Sequence, residues 1–150
     1  MPLRLESSRL ILRPFQDSDL ESFLAYRNDP DVARYQSWSV PYPRESGVQF
    51  VDLMKLSNPA SQGEWYQVAV ELKSTREMIG DVAFCTLISD EQQALIGYSL
   101  ARPYWHQSFA FEAVSTLLEY LFEERGLHRV IAECDVDNVA SWKLLEKLGF

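Results

Sequence analysis

The chain has 150 residues, and 47% of them are hydrophobic, which is enough for one continuous core. Its formal net charge is -8, from 22 acidic and 14 basic residues, so the sequence does not favour a nucleic-acid binder, whose phosphate contacts need a surplus of lysine and arginine. A cationic, amine-bearing substrate suits this charge better. No apolar run approaches the roughly 20 residues of a membrane span, and the first residues do not resemble a signal peptide, so we expect a cytoplasmic protein without membrane contacts.

The first third of the chain has the pattern of one strand followed by helices. Residues 9–15 form an apolar run with a proline near its end, which is typical of a strand. Apolar residues recur at helical spacing over 20–27, and an Asn-Asp-Pro sequence ends that helix before a short helical turn at 32–35. A further helix is expected over 45–56. The loop at 36–43 is rich in aromatic side chains, which either line a pocket or pack on the core.

Three strand-like runs follow, over 65–72, 78–88 and 94–101. The polar segments between them are short enough for hairpins, so these strands are expected to pair as an antiparallel meander. Gly97 lies inside the third run, where a glycine predicts either a bulge or a close packing position.

The last third of the chain predicts a helix, a strand and a final helix. The first helix ends at Gly126 and has one apolar stripe, formed by Val114, Leu117, Leu118, Leu121 and Phe122. A strand is expected over 129–135 and a helix over 138–148. Two strands joined by a crossover helix pair in parallel, so the fourth and fifth predicted strands are expected to be parallel neighbours in a mixed α/β fold.

The two cysteines, Cys85 and Cys134, both lie inside apolar strand-like runs. Neither has CxxC spacing or a neighbouring histidine, so the sequence predicts two small buried hydrophobic residues and no metal site. Neither is expected to act as a covalent nucleophile, because no activating partner is visible.

The segment that opens the long helix is the first candidate for function. The first residues of a helix present unpaired backbone N–H groups and the positive end of the helix dipole, so they hold anions such as phosphates. This geometry alone is weak evidence, since many crossovers of this kind bind nothing.

The residues around that segment are more specific. Residues 96–105, Ile-Gly-Tyr-Ser-Leu-Ala-Arg-Pro-Tyr-Trp, followed by Gln107 and the Phe-Ala pair at 109–110, resemble the acetyl-CoA segment of the GNAT superfamily. The resemblance is to the branch that includes the RimJ and RimL ribosomal-protein acetyltransferases. It extends to the first and fifth predicted strands and to the last helix, where residues 138–141 and 145–150 match.

This resemblance implies a single GNAT domain over residues 1–150, with a mixed, mostly antiparallel sheet and helices on both faces. The parallel fourth and fifth strands would splay around the cofactor. The implied activity is acetyl-CoA-dependent N-acetyl transfer, without a metal, to a primary amine that attacks directly in a ternary complex. The acceptor would be a protein N-terminus or a small-molecule amine. The alternative is a catalytically weak or inactive GNAT-like module that serves binding or regulation.

The resemblance also assigns residues to the site. The pantetheine arm of the cofactor would pair along the fourth strand, and its pyrophosphate would lie on the loop before the long helix. The residues so assigned are Tyr98, Ser99, Leu100, Ala101, Trp105, His106, Gln107, Ser108, Phe109 and Ala110. Asn138 would contact the cofactor arm, and Ser141 would lie near the thioester sulfur, where it can protonate the leaving thiolate. From the residues alone, Asn138 is an N-cap and Ser141 a first-turn residue, which needs no catalytic role.

Two departures from the family fall in the pyrophosphate loop, where His106 and Ser108 occupy positions that are usually glycine. Glycine has no Cβ and tolerates positive φ, so the replacements are expected to narrow the loop, to force more ordinary backbone angles, or both. Ser108 could compensate by donating its hydroxyl to a phosphate or by capping the helix, and His106 by donating a hydrogen bond or adding charge. Otherwise the loop has lost affinity for the cofactor.

A general base is missing from its usual place in the family, two residues before the glycine of the fourth strand, where this chain has Leu95. Asp81, Glu64 and Glu133 are the carboxylates expected nearby, although each is more often a solvated strand residue. An amine of lowered pKa can also lose its proton to water, so a base is not indispensable.

The family normally has two more strands after the last helix, whereas this sequence ends at Phe150. We therefore expect a C-terminally truncated domain in which those strands are missing. An exposed sheet edge, poor solubility or a swapped homodimer would follow.

Overall fold

The computed structural model describes residues 2–150, in which six strands form one sheet in chain order. The strands are β1 (Leu5–Glu6), β2 (Leu10–Arg13), β3 (Tyr66–Leu72), β4 (Met78–Thr86), β5 (Gln93–Leu100) and β6 (Arg129–Ala132). Neighbours from β1 to β5 pair antiparallel, and β5 pairs with β6 in parallel. The predicted meander and the predicted parallel pair are thus confirmed, with β5 and β6 as the fourth and fifth predicted strands.

Five α-helices lie in the described part of the chain. They are α1 (Leu20–Arg27), α2 (Pro30–Ala33), α3 (Arg44–Lys55), α4 (Phe109–Glu119) and α5 (Val139–Lys147). A 3-10 turn, Arg102–Tyr104, precedes the loop that opens α4, and a π-helical turn, Tyr120–Glu124, extends α4. The long helix ends at Gly126 as predicted, and the φ of that glycine, 68°, is left-handed.

Side chains alternate between the two faces along each strand, so apolar residues point to both faces of the sheet. Different helices cover the two faces. On one face, Val82 of β4 belongs to the same apolar cluster as Val114 of α4. On the other face, Ala69 of β3 packs with Phe23 of α1 and Val51 of α3. All nine residues of β4 are buried, since this strand lies between both layers and between two other strands. The prediction of helices on both faces is confirmed.

One strand is shorter than the sequence-based prediction, and one of the two alternatives for Gly97 is excluded. The strand predicted over 129–135 ends at Ala132, because β6 leaves β5 there. Gly97 does not form a bulge: its pairing with Ala83 continues the register of β4 and β5, and the irregularity of the sheet lies between Val70 and Glu71 instead.

A buried ion cluster joins the sheet to the start of α1. Arg13 of β2 donates to both carboxylate oxygens of Asp19, at 2.8 and 2.9 Å, and to Glu71 of β3 at 2.8 Å. None of the three side chains is more than 10% exposed. The hydrogen bond with Asp19 raises the pKa of Arg13 against the opposing effect of burial. Arg76 also pairs with Glu71, at 3.3 Å, so two arginines balance the two carboxylates.

The aromatic loop after α2 is fixed on the end of α1. The Arg27 guanidinium carbon lies 3.8 Å from the ring centroid of Trp38, whose indole N–H donates to the Arg27 carbonyl at 2.8 Å. Asn28 exchanges two hydrogen bonds with the backbone of Tyr42, at 2.7 and 3.2 Å. Trp38 and Tyr42 pack on the core, whereas Gln36 at the start of the loop lines a cavity. The interpretation of the loop aromatics as core residues is therefore confirmed for Trp38 and Tyr42, and Gln36 is the loop residue found in the cavity lining.

Candidate active site

The parallel strands β5 and β6 separate part-way along the sheet. Their pairing ends with Ile96 and Ala132, after which β5 continues beside β4 up to Leu100. The side of residues 97–100 that no described strand pairs is called the open edge below. A cavity of about 580 Å³ lies between the open edge, the start of α4 and the start of α5. This volume is typical of small-molecule sites.

Backbone groups of β5 point off the open edge into the cavity wall. The carbonyl of Tyr98 accepts a hydrogen bond from the Gln36 amide at 3.4 Å, and the carbonyl of Leu100 accepts one from the Trp105 indole at 2.7 Å. The N–H and C=O of a strand residue point to the same side, so the N–H of Tyr98 also points off this edge. An extended ligand can pair there as an added strand, and such an N–H can polarise a carbonyl.

The loop before α4 keeps left-handed backbone angles at both non-glycine positions. His106 has a φ of 62° and Ser108 a φ of 63°. The prediction of more ordinary angles is wrong, because contacts of the loop hold a conformation that costs a non-glycine residue roughly 1–2 kcal/mol. Both side chains are exposed, and both residues line the cavity.

Ser108 occupies the N-cap position of α4, and its carbonyl accepts the backbone hydrogen bond of Glu112 at 3.0 Å. Its hydroxyl makes no capping hydrogen bond within residues 2–150, so the cap, one of the two roles considered for Ser108, is wrong, and donation to a phosphate stays a prediction. A side-chain cap normally needs extended backbone angles at the N-cap, and Ser108 is left-handed. The first-turn N–H groups of α4 have no intrahelical acceptors, and groups of this kind can donate hydrogen bonds to an anion.

Asn138 and Ser141 lie together at the start of α5. Asn138 is the N-cap, and its side chain accepts a hydrogen bond from the backbone N–H of Ser141 at 3.3 Å. The hydroxyls of Ser141 and Tyr98 form a hydrogen bond of 2.6 Å between α5 and β5. Burial raises the pKa of Tyr98, although the bond with Ser141 acts in the opposite direction, so the phenol keeps its proton at neutral pH.

The structure separates the three carboxylates named as candidate bases. Asp81 is buried on β4, where it accepts hydrogen bonds from Tyr26 and Gln67. Burial raises the pKa of Asp81 despite these hydrogen bonds. Asp81 and Glu64 lie outside the described lining of the cavity, whereas Glu133, directly after β6, is exposed and lines it where the strands separate.

Cys134 lies in the cavity wall and is exposed, so the prediction that it is buried is wrong. The reason is that β6 ends at Ala132, two residues earlier, and Cys134 therefore lies beyond the sheet. Cys85 on β4 is buried as predicted, and burial raises the pKa of its thiol.

Most residues that the resemblance assigned to the site surround this cavity. Those in its lining are Tyr98, Ser99, Leu100, Trp105, His106, Ser108, Phe109, Ala110, Asn138 and Ser141. Ala101 and Gln107 lie outside the described lining. Ala101 packs on the apolar cluster beside α1 and α3, and the Gln107 amide donates to the Pro103 carbonyl at 3.0 Å.

Gln36, Phe111 and Lys147 line the cavity although the sequence analysis gave them no role. The Lys147 ammonium lies 4.9 Å from the ring centroid of Phe111, so these two residues close the wall between α4 and α5. Gln36 lies in the loop after α2, Phe111 in α4 and Lys147 in α5, and no spacing in the sequence relates the three residues to one another.

Residues 2–150 contain no group of three His, Cys, Asp or Glu side chains that could hold a metal ion. None of the helices formed by these residues has the length and apolar character needed to cross a membrane.

Nearly the whole chain matches one protein family. The match covers residues 9–150, and the family is described as the acetyltransferase (GNAT) domain. The chain belongs to the GNAT family. The splayed pair β5 and β6 and the helix N-terminus beside it are therefore parts of a GNAT fold.

Related proteins identify this GNAT protein as an N-acetyltransferase. The uncharacterized N-acetyltransferase YoaA of Bacillus subtilis (strain 168) is 33% identical over 147 residues, which make up 97% of this chain and 81% of that protein. The ribosomal protein uS5-alanine N-acetyltransferase of Escherichia coli (strain K12) is 25% identical over 156 residues, covering 99% of this chain and 78% of that protein. The second relative supports the resemblance to the RimJ and RimL branch.

Solved structures agree with this fold. A GNAT-family acetyltransferase from Bacillus anthracis superposes with a TM-score of 0.85 at 28% identity, over 98% of this chain and 82% of the other. A spermidine N-acetyltransferase from Vibrio cholerae, solved with CoA and spermine, has a TM-score of 0.79 at 20% identity, over 95% and 81% of the two chains. This fold therefore holds CoA in a solved structure.

Proposed function

We propose that this GNAT protein uses acetyl-CoA to acetylate a primary amine, at a protein N-terminus or on a small molecule, by direct attack in a ternary complex. The observation that carries the proposal is the single cavity that brings together the open edge of β5, the N-terminus of α4 and Ser141 of α5. We include in the proposal that residues 1–150 form one acetyltransferase domain, because one sheet contains all the described strands.

In this proposal the cofactor lies along the cavity from the loop to the open edge. Its pyrophosphate accepts hydrogen bonds from the first N–H groups of α4, where the helix dipole also favours negative charge. The pantetheine arm carries two amides, so it can pair with backbone groups of the segment from Tyr98 to Ala101 as an added strand. Asn138 contacts the arm, and Gln107 stays a proposed cofactor contact as part of the loop.

The chemistry follows from the groups around the open edge. The amine nitrogen attacks the thioester carbon while the N–H of Tyr98 stabilises the developing oxyanion. The C–S bond then breaks, and the thiolate takes a proton from the Ser141 hydroxyl, whose oxygen is held by the Tyr98 phenol at 2.6 Å. The products are the acetylated amine and free CoA, and no covalent enzyme intermediate is needed.

Glu133 is the proposed acceptor of the proton that the amine loses, directly or through a water molecule. It is the only one of the three candidate carboxylates within the described lining of the cavity. Glu133 follows Ala132, the last residue of β6 that pairs with β5. It therefore lies near the end of the open edge that begins at Gly97. A carboxylate at this point can act as the general base in place of the family glutamate, whose position is occupied by Leu95 in this chain.

Two measurements test the proposed function. Calorimetry is expected to show acetyl-CoA binding below millimolar concentration, and no binding at millimolar cofactor would overturn the proposal. Release of free thiol is then followed with peptides that begin with alanine or serine and with spermidine, using the N-acetylated peptides as matched controls. Turnover only with free amines supports the proposal, whereas binding without thiol release from any amine favours a binding or regulatory module.

A further inference from the structure

Arg9 lies on the side of the pyrophosphate loop that faces away from the cofactor cavity. A second cavity occurs on that side, lined by Arg9 and Gln107 among others, whereas His106 and Ser108 line the cofactor cavity. Neighbouring residues of the loop therefore face opposite sides. Arg9 therefore contacts the loop on the side opposite the cofactor cavity.

Three contacts fix the Arg9 side chain. Its Nη1 donates to the carbonyl of Gln107 at 3.1 Å, and its Nε donates to Glu112 at 2.8 Å. The guanidinium carbon lies 4.1 Å from the ring centroid of Phe109, the first residue of α4. The backbone N–H of Arg9 also donates to Glu112, at 2.9 Å. One residue thus joins the start of β2 to the loop and to the first turn of α4.

The bond to the Gln107 carbonyl has a consequence on the opposite side of the loop. In a trans peptide the C=O of one residue and the N–H of the next point in opposite directions. When Arg9 holds the Gln107 carbonyl behind the loop, the N–H of Ser108 is aimed towards the cofactor cavity. The orientation of this peptide unit also sets the φ of Ser108, which is 63°.

Arg9 also controls charge at the helix start. Burial acts to raise the pKa of Glu112, but hydrogen bonds from Ser7 and Arg9 and the charge of Arg9 lower it overall, so the carboxylate is ionised. An unpaired carboxylate in the first turn of α4 would repel a pyrophosphate bound there. The ion pair with Arg9 offsets that repulsion.

We propose that Arg9 is a positioning residue for the cofactor loop: it holds Ser108 in the left-handed conformation that glycine would adopt freely, and so aims the Ser108 N–H at the pyrophosphate. The binding of pyrophosphate at this loop is part of the proposed function, on which this inference rests. Arg9 itself does not contact the cofactor.

The loop conformation can be tested without any ligand. In a crystal structure of the Arg9→Met variant, the methionine still covers the Phe109 ring, and the peptide unit between Gln107 and Ser108 is expected to turn over, with φ of Ser108 becoming negative. An unchanged loop in this variant overturns the proposal, whatever the protein binds.

The effect on binding is tested by a thermodynamic cycle with CoA in a calorimeter. Arg9→Met is expected to raise the Kd about tenfold in the natural loop, but less than about threefold when His106→Gly and Ser108→Gly are also present, because glycine needs no support at positive φ. The kcat at saturating acetyl-CoA should stay unchanged. Equal losses in both loops would instead indicate direct contact of Arg9 with the phosphates and overturn the proposal.

Arg4→Met is the matched control, since it removes the same charge from an exposed side chain that pairs with Glu6 and not with the loop. If Arg4→Met loses as much CoA affinity as Arg9→Met, the effect of Arg9 is explained by long-range electrostatic attraction alone, and the proposal is overturned. If the natural protein binds no CoA, the proposed function fails, and the crystal structure of Arg9→Met alone decides the role of Arg9.

Discussion

Ser141 and Tyr98 share one hydrogen bond, yet the two hydroxyls have different places in the proposed reaction. Ser141→Ala is expected to lower kcat by about 10²-fold, because the leaving thiolate loses its proton donor, with little change in the KM for acetyl-CoA. Tyr98→Phe keeps the ring in place and removes only the bond to Ser141, so a loss of about tenfold is expected. Steady-state kinetics of both variants measure this order.

A larger loss in Tyr98→Phe than in Ser141→Ala would contradict this assignment and make the phenol the proton donor. Circular dichroism and thermal unfolding of both variants serve as controls for the fold.

Glu133→Gln tests the proposed proton acceptor. The substitution keeps the shape of the side chain and removes its basicity, so kcat/KM is expected to fall about 10²-fold while acetyl-CoA binding is unchanged. Glu64→Gln is the matched control, since Glu64 is an exposed carboxylate outside the described cavity lining. Equal activity of the two variants would mean that the amine loses its proton to water.

For single residues, the sequence motifs predicted local roles, such as a helix cap, better than they predicted the exposure or the backbone angles of a residue. The position of Asn138 as N-cap could be predicted because an asparagine before an apolar helical pattern has a local physical reason. The exposure of Cys134 could not, since it depends on where β6 leaves β5. The left-handed angle of Ser108 was also beyond local rules, because the peptide unit before it is held by a contact from Arg9, about 100 residues away in sequence.

Among the elements, β2, β3 and the turn before α1 are joined by the Arg13 cluster. Arg13→Leu leaves Asp19 buried without its ion-pair partner and leaves Glu71 paired with Arg76, so the free energy of unfolding is expected to fall by about 3–5 kcal/mol. Urea denaturation measures the change. Arg44→Leu, which breaks an exposed pair with Glu21, should cost much less, and comparable losses in the two variants would contradict the argument.

The ion pair between Arg9 and Glu112 joins β2 to α4 and predicts a pH dependence. The pKa of Glu112 is lowered in the folded state, so the stabilisation is fully present above the unfolded value near 4.5 and is lost as pH falls through the folded pKa. Glu112→Gln should therefore be less stable than the natural protein by about 1 kcal/mol or less at pH 7, and the difference should vanish in strong acid. A difference that is constant with pH would show that charge is not its cause.

The elements themselves were predictable where the pattern is local. Hydrophobic runs separated by short polar segments predicted β3, β4 and β5, and a strand–helix–strand order predicted the parallel partner β6. The strand β1 has only two residues, too few for any pattern. The π-helical turn after α4 continues the helical periodicity of apolar residues of the helix before it, so no sequence pattern separates the two.

The charge of the whole molecule affects how acceptors approach. The net charge is -8, and the cavity lining has four acidic residues, Asp31, Glu133, Asp135 and Asp137, against the basic Arg34 and Lys147. For a cationic acceptor such as spermidine, kcat/KM is expected to fall several-fold between about 20 and 200 mM salt, because screening weakens the attraction. A peptide of zero net charge with a free N-terminus is the control, and the same salt response for both acceptors would contradict electrostatic steering.

The open edge of β5 also concerns aggregation, since an unpaired strand normally invites the strands of other chains. Here it is only four residues long, it lies in a cavity walled by α4 and α5, and the Gln36 amide already meets one of its carbonyls. A β-strand has side chains on both faces and needs more room beside β5 than a flexible ligand chain with few substituents and spaced amides. The geometry that hinders pairing of β5 with strands of other chains thus favours a thin, flexible ligand.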